Sequence, residues 1–209
     1  MSGLIFYHNP ISRGRIAHWM LEETGAPYET RVLDFTKGEH KSAEYRQLNP
    51  MGKIPTIVHN GVVVTECAAI CAYLADAFPE KKLAPAVGDP ARGTYYRWLF
   101  FGAGCVEPAV TDKSFNRPPV ERKGAVGYGS YDDTIATLES AVEKGPWLLG
   151  DQFTAADVYV GSQIGWGMFT KGIDPRPAFQ RYLARIAERP AYKKATDADN
   201  AAAAKAQAK

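Results

Sequence analysis

The chain has 209 residues, with 25 Lys and Arg against 23 Asp and Glu and a formal net charge of +2. That length allows one large or two small domains, and the near balance of charge gives no footprint for nucleic acid or an anionic membrane. The longest apolar run, residues 98–106, is too short to cross a bilayer; three scattered cysteines supply no disulfide framework and no basic leader precedes Leu4, so a cytoplasmic location is expected.

Residues 3–7 read as a short buried strand, broken by Asn9-Pro10. Residues 13–24 carry Ile16, Trp19 and Met20 at helical spacing, and Gly25 and Pro27 stop that helix. Residues 28–33 alternate as a second strand, and 42–48 form a short polar helix or turn. Residues 56–59 and 62–64 flank Asn60-Gly61, a strong hairpin signal. Residues 68–78 then place Ile70, Tyr73, Leu74 and Ala77 on one helical face. The order βαβ, helix, ββα predicts a thioredoxin-like α/β unit over residues 1–80.

Pro79, Pro85, Gly88 and Pro90 mark a connection, with the linker itself set at 81–88. Beyond it, residues 95–110, 131–144, 155–169 and 178–187 have helical spacing and no strand candidate intervenes, which predicts an all-α domain over 89–197. Thr154-Ala155-Ala156-Asp157 is a capping box, and Phe153 is placed to staple against Val158. The alanine-rich segment 198–209 reads as a flexible tail, either frayed helix or disordered.

The chemistry concentrates in three short stretches. In Asn49-Pro50-Met51-Gly52-Lys53-Ile54-Pro55-Thr56, a turn delivers a proline to the start of a strand, where it cannot donate to the ladder. A cis bond is accessible there, and the bend would expose the backbone of Ile54. Ten residues on, Thr65-Glu66-Cys67 opens a helix whose free N–H groups and dipole suit a carboxylate. Ser12, in Asn9-Pro10-Ile11-Ser12-Arg13-Gly14-Arg15, stands where the first strand turns into the first helix. A hydroxyl there can donate to a thiolate; it can also serve simply as a helix cap.

This set resembles the glutathione site of the cytosolic glutathione transferases, and the Pro-x-Ser-x-x-Arg pattern resembles their theta-like bacterial and fungal members. The resemblance runs from residue 3 to about 196. It implies that Ser12 activates the glutathione thiol and that the Ile54 backbone, shaped by Pro55, pairs with the cysteinyl part. It further implies that Glu66 accepts the α-ammonium and that the Cys67 N–H holds the α-carboxylate. Cys67 departs from the usual Ser, and a thiol is a weak donor. Lys53 and His40 are candidates for the glycyl carboxylate.

Tyr7 is the rival activator, displaced by one residue from the pattern that would align it, and reads as mainly structural. Arg15 reads as a solvated charge, Cys71 as core. Trp98, Phe101, Cys105, Trp166 and Phe169 are candidates by residue type for a second substrate site. The four histidines, His8, His18, His40 and His59, have no metal-ligand spacing, and no Ser-His-Asp arrangement is visible. The expected activity is glutathione transfer to a small hydrophobic electrophile by a cytoplasmic homodimer engaged in detoxification. Glutathione is the co-substrate, with no metal. The alternatives are a glutathione-dependent disulfide reductase or peroxidase, and a non-catalytic ligand-binding protein of the same fold.

Overall fold

Alternation of buried and half-buried side chains along Leu4–His8 makes the first strand, β1, which turns Leu4, Phe6 and His8 inward. The computed structural model describes residues 3–207. Helix α1, Gly14–Thr24, follows and buries Ile16, Trp19, Met20 and Leu21 before Gly25 closes it in the left-handed region. Strand β2, Glu29–Val32, lies parallel to β1. After the short helix α2, Ala43–Leu48, come β3, Thr56–His59, and β4, Val62–Thr65. Asn60 and Gly61 both take positive φ between them, as a two-residue hairpin turn requires. Helix α3, Cys67–Ala77, completes the succession. The sheet order is β2-β1-β3-β4, with β3 antiparallel to both neighbours. This is the thioredoxin-like arrangement the pattern predicts.

The helical part comprises α4, Ala91–Phe101; α5, Glu107–Ser114; α6, Tyr131–Glu143; α7, Ala155–Phe169; and α8, Pro177–Ala187. The turn Gly102–Val106 between α4 and α5 is a π-helix, in which Glu107 N–H reaches back to the Gly102 carbonyl. Pro108 lacks the N–H that would serve Gly104 in an α-helix, and a widened turn accommodates that loss. Helix α7 is buried over most of its circumference, and its Thr154/Asp157 capping box is present. The Phe153 ring packs edge-on against Trp147, at 4.8 Å between centroids.

The chain divides into two compact units, Met1–Lys81 with Arg189–Lys209, and Lys82–Glu188. The helical unit is therefore shorter at its C-terminal end than expected, and the expected flexible tail is not what residues 198–207 form. They continue helix α9, Pro190–Gln207, which belongs to the sheet-containing unit. Alanine favours helix strongly, but the decisive feature is a polar-aromatic face invisible as hydrophobic periodicity. Tyr192 packs on Trp19 at 4.9 Å between centroids, and Arg189 makes two 2.6 Å bonds to the Glu23 carboxylate. Lys194 pairs with Glu22 at 2.6 Å. Ala195 and Asp199 are each 2% exposed.

Asp199 faces His8 from β1, and Arg15 and His18 from α1, with Glu22 and Tyr28 beyond His18. Burial works to raise its carboxyl, but the hydrogen bonds from His18 and His8 outweigh burial and hold it below the ordinary carboxylate range. A carboxyl lowered on folding contributes stability above its unfolded value, near 3.9, that is lost as pH falls through the folded value. The melting temperature of wild type should thus exceed that of Asp199→Asn at neutral pH, and the gap should close below about pH 4. A gap that persists unchanged into acid would refute this.

Candidate functional site

The strand register gathers one end of the sheet. Tyr7 near the end of β1 lies opposite Thr56 at the start of β3, and Thr56 lies opposite Thr65 at the end of β4. The segments that leave and enter the sheet at this end are 9–13, 53–55 and 66–67, and they carry Ser12, Ile54 and Glu66. The end of β2 is here too, because Leu33 N–H donates to the His8 carbonyl, so the loop bearing His40 departs from the same edge.

The Ile54–Pro55 bond is cis. Among the described residues the Ile54 backbone N–H and C=O have no hydrogen-bond partner, which leaves a short stretch of strand edge open. Two side chains outside the expected set brace it. The Tyr45 hydroxyl donates to the Lys53 carbonyl at 2.6 Å and lies 2.8 Å from Thr56 Oγ1. Asn49 Nδ2 donates to the same carbonyl at 2.9 Å while its Oδ1 accepts from Met51 N–H. Asn49 in an Asn-Pro-x-Gly run signals such a turn locally; Tyr45 carries no comparable sequence signal. Gly52 has φ +58, and a β-carbon there would stand 2.7 Å from the His40 carbonyl. Only glycine lets the His40 loop close onto the Lys53 turn. His40 Nδ1 is buried without a partner among the described residues, and Lys53 is exposed.

Glu66 precedes α3 with φ +65 and ψ +120, a conformation rarely taken by any residue but glycine and costing of order 1–3 kcal/mol. Its carboxylate is exposed. The first-turn N–H groups of α3, beginning at Cys67, point out of the helix start. Cys67 itself is buried, with Sγ 3.7 Å from the Arg13 carbonyl, so its side chain packs between the starts of α3 and α1. Burial raises the Cys71 thiol well above its ordinary value, which fits a core residue.

Ser12 is held in a tight turn. Its hydroxyl donates to the Asn9 carbonyl at 2.7 Å and accepts from Gly14 N–H at 2.9 Å. Asn9 is buried, donates to the Leu33 carbonyl and accepts from Ile11 N–H. The Ser12 hydroxyl is therefore partly engaged as a cap, and to donate elsewhere it must rotate off the Asn9 carbonyl. The Tyr7 hydroxyl accepts from Arg31 at 3.2 Å, and its ring lies 5.5 Å from that of Tyr45.

Two readings of charged groups change. Arg15, read as solvated, donates to the Pro10 carbonyl at 3.2 Å and to Asn200 Oδ1 at 2.6 Å. His8 and His18, apart in sequence, meet on Asp199 Oδ1 at 2.7 and 2.8 Å. The three ligand-capable groups lie close enough to hold a metal, but hydrogen bonding suits them better. A metal on His8 Nε2 would move the ring proton to Nδ1, which is buried with no acceptor among the described residues.

In the helical unit, Trp98 lines a cavity of about 330 Å³ with Arg97, Thr137, Ser140 and Lys144. Phe101 and Cys105 are half-buried, while Trp166 and Phe169, 5.6 Å apart, are exposed. The cavity thus takes up Trp98 but not the other four candidates.

A thioredoxin-like unit with a cis proline before its third strand is joined in one chain to an all-helical unit, the two-domain architecture of the glutathione transferases. Residues 2–76 match the family pattern described as glutathione S-transferase, N-terminal domain, and residues 117–185 match its C-terminal domain. Glutathione S-transferase 3 of Schizosaccharomyces pombe is 30% identical over 90% of this chain and 84% of its own. A glutathione transferase structure from Methylococcus capsulatus is 30% identical and superposes with a TM-score of 0.77, covering 94% of this chain and 98% of that one. Another from Phanerochaete chrysosporium, in complex with oxidized glutathione, is 26% identical with a TM-score of 0.80 over 96% and 98%. The chain belongs to the glutathione S-transferase family.

Proposed function

We propose that this protein is a glutathione transferase that binds glutathione at the sheet end described above and activates its thiol with Ser12. The observation that carries the reading is the strand register. It brings the open Ile54 backbone, the N-terminus of α3 with Glu66, and the Ser12 turn to one edge. The cysteinyl backbone of the peptide would pair with Ile54. The α-ammonium would meet the Glu66 carboxylate and the α-carboxylate the Cys67 N–H. His40 and Lys53 would meet the glycyl carboxylate, and the unpartnered His40 Nδ1 supports that role. With the peptide so fixed, the Ser12 hydroxyl would rotate off the Asn9 carbonyl and donate to the sulfur. The N-terminal end of α1 adds its partial positive charge. Thiolate stabilisation and proximity then supply the rate. No described helix is long and apolar enough to cross a membrane. The electrophile would be small and mostly hydrophobic, the protein a cytoplasmic homodimer, and its role detoxification.

The testing experiment is a glutathione titration followed by ultraviolet thiolate absorbance across pH. Thiolate on the protein well below the titration of free glutathione supports the reading. Binding without thiolate favours the disulfide reductase or peroxidase alternative, or a ligand-binding role. No binding at all overturns the glutathione site.

Glu66 offers a second test in which stability and binding move oppositely. Glu66→Gly relieves a backbone cost of order 1–3 kcal/mol and adds roughly 0.5–1 kcal/mol of unfolded-state entropy. The variant should melt slightly higher than wild type yet lose retention on immobilised glutathione. Undiminished retention would remove Glu66 from the site.

A further inference from the structure

His8 points from β1 into the core, where an imidazole needs partners. One of its nitrogens has one: Nε2 lies 2.7 Å from Asp199 Oδ1. Because an ionised carboxylate only accepts, that bond places a ring proton on Nε2, and in the neutral ring Nδ1 is then bare. An unpartnered acceptor is the less costly of the two ring atoms to bury, which fits the burial of Nδ1 without a donor. The bare edge of the ring abuts the Ser12 turn. A β-carbon on Gly14 would overlap His8 Nδ1 and stand 2.9 Å from Ser12 Oγ, so the two atoms flank the same point at the start of α1.

On the far side of the turn, Arg15 donates to the Pro10 carbonyl and to Asn200, with its Nε 3.9 Å from Asp199 Oδ2. Residues 199 and 200 of α9 therefore hold the segments on both flanks of residues 9–14, His8 before and Arg15 after. His18 adds a second donor to Asp199 Oδ1 but sits a turn further along α1.

We propose that Asp199 is a positioning residue for Ser12, acting through His8 and Arg15. The proposal rests on Ser12 being the group that stabilises the thiolate. Asp199 fixes the tautomer and the plane of His8, and His8 fixes where Gly14 and the Ser12 hydroxyl lie. Thiolate stabilisation is sensitive to such placement at the scale of about 1 Å.

The test compares wild type, Asp199→Asn, Ser12→Ala and Glu23→Gln by titrating the thiol of bound glutathione. Glu23→Gln is the control: it weakens the Arg189 contacts at the other end of the α1–α9 pairing without touching the turn. Asp199→Asn should raise the midpoint of the thiol titration by about one pH unit, a tenfold change in the thiol–thiolate equilibrium, and so lower the thiolate fraction at neutral pH, while the dissociation constant for glutathione changes little. Ser12→Ala should lower it further, and Glu23→Gln should lose thermal stability with no change in the titration. A wild-type titration in Asp199→Asn, with Ser12→Ala shifted, overturns the positioning role and spares Ser12. A wild-type titration in Ser12→Ala overturns the Ser12 reading, and this proposal with it. An equal shift in Glu23→Gln shows only loose docking of α9 and also overturns the proposal. If Asp199→Asn does not fold, the exposed Asn200→Ala decides through the Arg15 branch: a several-fold loss of thiolate supports the proposal, no change refutes it.

Discussion

Replacing Ser12 by Ala should cut turnover at neutral pH by about 10²-fold, the usual cost of deleting one donor to a developing or resident anion. Glutathione binding should be nearly unchanged, because the contacts proposed for Ile54, Glu66 and Cys67 use groups the substitution leaves in place. The loss should shrink as pH rises toward the ordinary thiol range, where the thiolate forms without help. The same variant also removes the hydroxyl that accepts from Gly14 N–H at 2.9 Å, so it should melt lower by about 1 kcal/mol, as a lost cap does. A pure capping role predicts that stability loss with turnover intact. Activity against a chlorinated aromatic electrophile, measured across pH beside a melting curve, separates the two.

The largest stability effect should come from Asp157→Ala. That carboxylate is fully buried and accepts from Leu148 N–H and Tyr182 O–H on one oxygen, and from Thr154 N–H and O–H on the other, at 2.8–3.0 Å. Truncation strands these donors in a dry core, at roughly 1–3 kcal/mol for each left unsatisfied. The helical unit should lose about 4 kcal/mol or more, read as a fall in the urea midpoint. Tyr182→Phe, which removes one donor and leaves the rest paired, should cost only about 1 kcal/mol. If Asp157→Ala unfolds within about 1 kcal/mol of wild type, the network is not what holds the start of α7.

What could be read from the chain follows the range of the interactions. The Thr154–Asp157 box, the Asn60-Gly61 hairpin and the Pro55 turn are specified by residues a few positions apart, and each is written locally. The mixed sheet followed from the order of those elements. The meeting of His8 with Asp199 joins residues 191 apart in sequence, and nothing near either one announces it. Helix α9 escaped for a related reason: its packing face is Tyr192, Ala195 and Asp199, one aromatic, one small and one charged residue, so no apolar stripe marks it. Glu66 was legible as an acid at a helix start but not as a residue with positive φ, because no side chain signals a strained backbone in advance.

The return of α9 to the sheet-containing unit has a consequence for synthesis. A ribosome makes β1 and α1 early and α9 only after all of Lys82–Glu188 has been made. Throughout that interval His8 and Trp19 await the partners that cover them. The helical unit, contiguous in the chain, has all its own residues before the sheet-containing unit has its final helix. A released chain ending at Glu188 should therefore carry a protease-resistant helical unit and a sheet that is still open to cleavage.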